Sequence, residues 1–262
     1  MVTQILNGVE RECSIFGALL KRELLHRFGA RSLGWIEEVA AIAVHILAFT
    51  VLRLLLGGRS HGGMEILPFT VIGVMTFWSV RSGVSLVATT PGVMVRYTEF
   101  PQVSLLKVAL ARGVVNVALC LALAFAAFHA LELLGYSRPI RDGFMVFCWL
   151  LLGGLLGIAC GLALMWPFYV FPFARTVLLV FFMRVLAVVS GTFFVFRDLP
   201  YSLRPFARWM PTLHINDKAR EAYFYSFRAD WADPDFVTLT TTILFGLGLL
   251  SCDATRRRMA RG

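Results

Sequence analysis

Apolar residues in this chain gather into long runs separated by short polar stretches. A bilayer core of roughly 30 Å calls for about 20 apolar residues per helix. That ruler marks five clear spans and a weaker sixth, at 36–56, 66–88, 105–131, 144–166, 173–194 and 236–251. The last is shorter and carries Thr238 and Thr240 to Thr242. The stretch WPFYVFP, Trp166 to Pro172, predicts a tight turn that leaves the fourth and fifth spans antiparallel neighbours. The predicted fold class is an all-α integral membrane protein with six transmembrane helices.

Ahead of the first span, Ile15, Phe16, Leu19, Leu20, Leu24 and Phe28 recur at three- and four-residue spacing, with Glu12, Lys21, Arg22, Glu23 and Arg27 among them. This is the pattern of an amphipathic helix lying in the membrane interface; a soluble helix packed on another chain is the alternative. The chain divides into an N-terminal segment 1–35 with this helix, a transmembrane domain 36–251 and a basic tail 252–262.

Composition agrees with the pattern. Hydrophobic residues make up 58% of the 262 and charged residues 16%, and mean hydropathy is +0.74, values of a chain dissolved in bilayer. The formal charge of +9 fits topology signals and anionic lipid or substrate better than nucleic acid. Counted by the positive-inside rule, the side of the termini collects twelve arginines and lysines, including Arg22, Arg96, Lys107 and Arg256 to Arg258, against Arg59, Arg138 and Arg141 in the short opposite loops. Both termini are therefore expected in the cytoplasm. The scattered Cys13, Cys120, Cys148, Cys160 and Cys252 suggest neither a disulfide nor a metal site.

Between the fifth and sixth spans, region 196–235 mixes aromatics with paired-off charges and is cut by Pro200, Pro205 and Pro211. Two short helices, at about 201–209 and 215–227, dipping back into the outer leaflet suit that mixture, since irregular backbone at membrane depth survives only inside protein or beside water. An ordinary aromatic interfacial belt is the other reading. Arg81 and Arg184 lie well inside their spans, where an arginine costs several kcal/mol unless it faces water or an acid. A water-accessible path tolerant of anions is one expectation, and simple snorkelling of the two side chains is the other. Arg53 and Arg112, nearer span ends, read as snorkelling anchors, and His45 and His129 as packing residues. No phosphate loop, GxSxG, HExxH or membrane carboxylate pair is present, so no catalysis and no cofactor are expected of this chain.

The polar stretch YTEFPQVSLLKVALARG, Tyr97 to Gly113, interrupts the apolar pattern at loop 89–104. Its Phe100, Pro101, Gln102, Val103, Ala111 and Arg112 resemble the second-to-third-span region of capsular polysaccharide ABC exporter permeases of the KpsM type. Leu19, Leu20, Arg22, Glu23, Arg27, Phe28, Gly29, Leu33 and Gly34 resemble the same family's entry helix, and Pro211, Leu213, His214, Arg220 and Phe224 its stretch before the last span. The chain departs from the family at Pro91-Gly92 and Arg96, where the family has an asparagine-arginine pair, and at Glu37-Glu38-Val39, where it has Glu-Pro. The resemblance implies a homodimeric, ATP-driven exporter permease in a bacterial inner membrane. It implies two separate ATPase subunits that bind ATP and Mg, a periplasmic adaptor or co-polymerase and an outer-membrane channel. The cargo would be a lipid-linked capsular polysaccharide.

In such a machine loop 89–104 couples to the ATPase through Arg96, Tyr97, Glu99, Phe100, Pro101 and Gln102, with Tyr97, Glu99 and Phe100 exposed. Sugars offer hydroxyls and C–H faces, so aromatics and arginines suit their path; the candidates are Phe77, Trp78, Arg81, Arg184, Trp209 and Tyr223. The same permease class also serves O-antigen, teichoic acid or small lipophilic substrates. An enzyme acting on lipid-linked sugar would need acids and histidines clustered at one face, and Glu37, Glu38 and His26 are the set available.

Overall fold

The computed structural model describes residues 2–28, 34–55, 60–97, 100 and 102–261. Helices dominate: α1 (Val2–Phe28), α2 (Gly34–Leu55), α3 (Ile66–Ala88), α4 (Thr90–Val93), α5 (Leu105–Leu133), α6 (Gly143–Val170), α7 (Pro172–Val177), α8 (Met183–Val189), α9 (Arg204–Ala207), α10 (Pro211–Tyr223) and α11 (Pro234–Met259). One small hairpin, β1 (Ser60–His61) with β2 (Met64–Glu65), turns through Gly62 and Gly63 at positive φ, as the tightest hairpin turns do.

Among the described residues four helices, α3, α5, α6 and α11, are long and apolar enough to cross a membrane. The weakest span in the sequence is thus part of a helix of 26 residues. Its threonines fit because Thr238, Thr241 and Thr242 each donate back to the carbonyl four residues earlier, at 2.8–3.1 Å, which satisfies the hydroxyl without water. Helix starts are marked in sequence. The side chains of Ser104, Asp142 and Asp233 accept backbone N–H bonds at the first turns of α5, α6 and α11, and Pro211 and Pro234 occupy first-turn positions where no N–H is missed.

The fifth predicted span, 173–194, is broken. After α7 the chain takes a π turn at Leu178–Phe182 and then α8, which stops at Val189. Gly191, at φ 80°, reverses the chain in a conformation that L side chains resist. The turn is polar and buried, and its groups are met from outside: Asn216 Nδ2 donates to Ser190 O at 2.8 Å and Thr192 Oγ1 to Gly73 O at 3.3 Å. The expected tight turn between fourth and fifth spans starts later than read, since Pro167 lies inside α6 and Phe171 alone joins α6 to α7.

Helix α3 is the hub. It packs on α2, α5, α6 and α10, while α11 lies along α6 and α1 along α5. The α3–α6 seam is closed by small residues. A Cβ built on Gly157 would sit 2.9 Å from Val80 Cα and 3.0 Å from Ser79 O, so the two backbones touch, the approach that small residues permit between helices in lipid. Gly157→Ala should therefore force the seam apart at about 1–3 kcal/mol and lower the melting temperature in detergent, whereas Gly92→Ala, with nothing within 4 Å, should not.

Candidate functional site

Between α5 and α11 the two ends of the bundle differ. The near end holds α1, the C-termini of α3 and α6 and the start of α5; the far end holds the hairpin and α10. At the near end a cavity of about 990 Å³ is walled by α1, the start of α2, the last turns of α3 and loop residues Val93, Arg96 and Tyr97. Arg22, Arg27, Arg81, Arg96 and Arg112 line it against Glu23, Glu37 and Glu38, so the wall is net positive.

The arginines play two roles. Arg112 Nη1 donates to Leu86 O at 2.6 Å and Thr90 Oγ1 at 3.2 Å, with Glu23 at 4.0 Å. It is largely buried and ties α5 to the end of α3 and to α1, so it does not snorkel as expected. Arg27 pairs with Glu23 at 3.4 Å and Glu38 at 3.8 Å. Arg81, by contrast, reaches into the open cavity and lies over the Trp78 ring at 5.1 Å. Among the described residues neither Arg81 nor Arg96 has a carboxylate within ion-pair distance. Of the predicted path residues, Trp78 and Arg81 therefore share one cavity, as wet arginine and aromatic neighbour.

The remaining path candidates are not brought there. Phe77 is buried in α3, Arg184 is exposed on α8 away from the described cavities, and Tyr223 is a core residue. The Tyr223 ring packs 5.0 Å from Phe128 and its hydroxyl donates to Ser137 at 3.4 Å. Trp209 is 78% exposed at the far end. His26, Glu37 and Glu38 also line the near-end cavity.

The coupling candidates also divide. Glu99 and Pro101 lie outside the described residues. Met94–Tyr97 is a 3₁₀ turn, and Tyr97, expected to be exposed, is 8% exposed with the Arg22 guanidinium 4.2 Å above its ring. The contact clamps α1 onto the loop, which burial of one ring face favours. Phe100 is 54% exposed and, with Gln102 and Val103, borders a groove of about 380 Å³ against Ile15, Ala18 and Leu19 of α1. Arg96 is exposed beside the near-end cavity.

At the far end the sequence reading missed a buried ion pair. Arg220 and Asp217 are both 0% exposed and 3.4 Å apart. The Arg220 guanidinium donates to Phe194 O at 3.0 Å and Thr192 O at 3.2 Å and stacks 3.6 Å over Phe69. Asp217 Oδ2 accepts from Phe196 N at 3.1 Å and Trp231 Nε1 at 2.9 Å. Burial pushes the Asp217 carboxyl up, and Arg220 with the two N–H donors pulls it back. Burial likewise holds the His214 imidazole below its ordinary value; Nδ1 accepts from Asp233 N at 3.0 Å and Nε2 meets Arg208 O at 2.9 Å. The three-residue spacing of Asp217 and Arg220 on one helix face was the available signal.

No family model matches the chain. It is 25% identical over 258 residues, 94% of this chain and 93% of the other, to the capsule polysaccharide export inner-membrane protein CtrC of Neisseria meningitidis serogroup A. The chain resembles capsule polysaccharide export proteins. It is also 22% identical over 242 residues to BexB of Haemophilus influenzae, of the same description, covering 90% of this chain and 89% of BexB. With the polysialic acid transport protein KpsM of Escherichia coli it shares 22% over 252 residues, 93% of this chain and 94% of that protein. In each case the similarity covers at least 90% of this chain.

Removing one partner of a buried ion pair leaves the other charge stranded, at about 3–5 kcal/mol. Asp217→Ala should accordingly give a chain that melts far lower in detergent, and Asp217→Ala with Arg220→Met should recover much of the loss, a comparison that thermal unfolding reads directly.

Proposed function

We propose that this chain is the transmembrane permease subunit of an ATP-driven exporter that moves a lipid-linked capsular polysaccharide across a bacterial inner membrane. The single observation that carries the proposal is the near-end cavity, where Arg81 lies over the Trp78 ring and, among the described residues, neither Arg81 nor Arg96 has a carboxylate within ion-pair distance. Its net positive wall and hydroxyls of Ser82 and Ser85 suit the charged, hydroxyl-rich head of a glycolipid, whose acyl chains stay in the membrane. Full-length similarity to capsule export proteins supports the same cargo.

In this reading both termini face the cytoplasm, so the cavity receives substrate from the inner leaflet. Its partners are a second copy of the chain and two ATPase subunits that hold ATP and Mg. A periplasmic adaptor or co-polymerase and an outer-membrane channel continue the route. The Phe100 groove is where the ATPase grips, and α1 carries the motion onward because Tyr97 and Arg22 fasten it to the loop. Helix α10 sits at the periplasmic mouth. Ile215 meets α6 beside Gly153, ten residues or about 15 Å along from Gly143, and this depth within the bundle supports a re-entrant α10. An enzyme acting on lipid-linked sugar through His26, Glu37 and Glu38 is the second reading, since those side chains line the same cavity.

Arg81→Gln should lower surface polysaccharide by about tenfold, the worth of one charge-assisted bond of about 1.5 kcal/mol, while leaving ATPase co-purification intact. Unchanged surface polymer would overturn the substrate role. Glu37→Gln with Glu38→Gln separates the enzyme reading, which requires export-independent turnover of lipid-linked sugar to vanish. Phe100→Ala should instead release the ATPase in a pull-down and lower export with it, because a single exposed aromatic often carries a large share of binding. Full ATPase recovery with Phe100→Ala would count against the groove.

A further inference from the structure

At the far end a second cavity, about 750 Å³, opens between the α9 segment, the N-terminal half of α10 and the start of α11. That size falls among small-ligand sites, about 300–1,000 Å³. Its floor is the stacked pair Phe196 and Trp231, ring centres 3.9 Å apart and 13° from parallel. Its rim carries Tyr201 and Trp209, which are 85% and 78% exposed.

Most polar groups around it are already engaged. Arg204 donates to Leu199 O at 3.1 Å and Arg197 O at 3.1 Å. Both His214 nitrogens are used by the backbone, and Asp233 Oδ1 caps α11 by accepting from Asp235 N and Phe236 N. The charged side chains that line the cavity are Arg204, Arg208 and Asp233. Arg208 stands 6.0 Å over the Phe196 ring and, among the described residues, its guanidinium has no hydrogen bond or ion pair. The Tyr201 hydroxyl and Trp209 N–H are likewise unengaged.

From this arrangement we infer that the far-end cavity is a second sugar site, specific for a residue bearing a carboxylate, through which the polymer passes after crossing. The inference rests on the exporter reading. The flat C–H face of a pyranose covers Trp209 or Tyr201, its hydroxyls take the phenol and indole N–H, and its carboxylate takes the Arg208 fork. An acyl chain would fill the rings' surface and leave the guanidinium and both donors without partners. A phosphate alone would use Arg208 and leave the aromatic rim idle. Only an acidic sugar uses both. Because the rings offer faces without fixed register, successive residues of a polymer can exchange on them, while the near-end cavity holds the lipid-linked end.

The test uses the full chain purified in nanodiscs, with a short sialic acid oligomer as the acidic probe and a maltose oligomer of equal length as the neutral one, followed by tryptophan fluorescence. The acidic oligomer should give a saturable change that is lost in Trp209→Phe and shifted about tenfold to higher concentration in Arg208→Gln, with the maltose response weaker than either. Both positions are on the surface, and size-exclusion profiles matching the parent show that folding is retained. Equal responses to the two oligomers, responses unchanged in both variants, or a response to anionic phospholipid vesicles alone would overturn the site; the last result makes the rim a membrane belt. Capsule export by cells deleted for this gene separates the two levels. If the reintroduced parent chain restores surface polymer and the titration is flat, the far-end site fails and the exporter reading stands; if the parent chain restores none, the exporter reading fails and the substrate assignment goes with it.

Discussion

A guanidinium enclosed in the bundle constrains everything around it. Arg220 is wholly buried, and its charge is tolerable only because Asp217, the carbonyls of Thr192 and Phe194 and the face of Phe69 surround it at once. Those partners belong to α10, the turn after α8 and α3. The same carboxylate holds Phe196 N and the Trp231 indole, which places the floor of the far-end cavity. One ion pair therefore fixes where a short helix, an irregular turn and a stacked aromatic pair must lie. The break in the fifth apolar run follows from it, because the turn's carbonyls are needed as acceptors.

The two ends handle charge in opposite ways. At the far end the Arg220–Asp217 pair is closed from solvent and neutralised, and what remains open is an aromatic cleft whose Arg208 guanidinium has no hydrogen bond or ion pair among the described residues. At the near end Arg112 and Arg27 are committed to carbonyls and glutamates that join α1, α2, α3 and α5, and Arg81 is left facing open space. Burial with full pairing marks an arginine as structural; exposure within a cavity, without a carboxylate, marks one available to an anion. Between the ends, glycine contacts along α3 and α6 hold the separation rigid.

Much of this was legible in the chain. Apolar run length located α3, α5, α6 and α11, since a bilayer sets one length for every helix that crosses it. Prolines and the Tyr201–Phe227 composition announced short helices near their observed positions, though α10 begins at Pro211, earlier than read, because proline is most at home in a first helical turn. What was illegible were choices among like residues. Arg81, Arg112, Arg184 and Arg220 all sit in apolar or aromatic company; their fates differ because their partners lie 26, 28 or 151 residues away, a separation no local pattern carries. Tyr97 was misjudged for the same reason, its cover coming from Arg22 on a different helix.

By itself, then, the sequence determined a helical chain built for lipid, the approximate ends of its longest helices and the amphipathic face of α1, because those depend on local hydrophobicity, spacing and capping. Only the tertiary structure decided which arginine is sealed and which faces open space, why the fifth apolar run breaks, and that Trp78 and Arg81 line one cavity and Trp209 another while Phe77 and Tyr223 are packed in the core. The reason is that the free energy of a buried or exposed charge is set by groups brought from far along the chain, and these are assembled only when the helices pack.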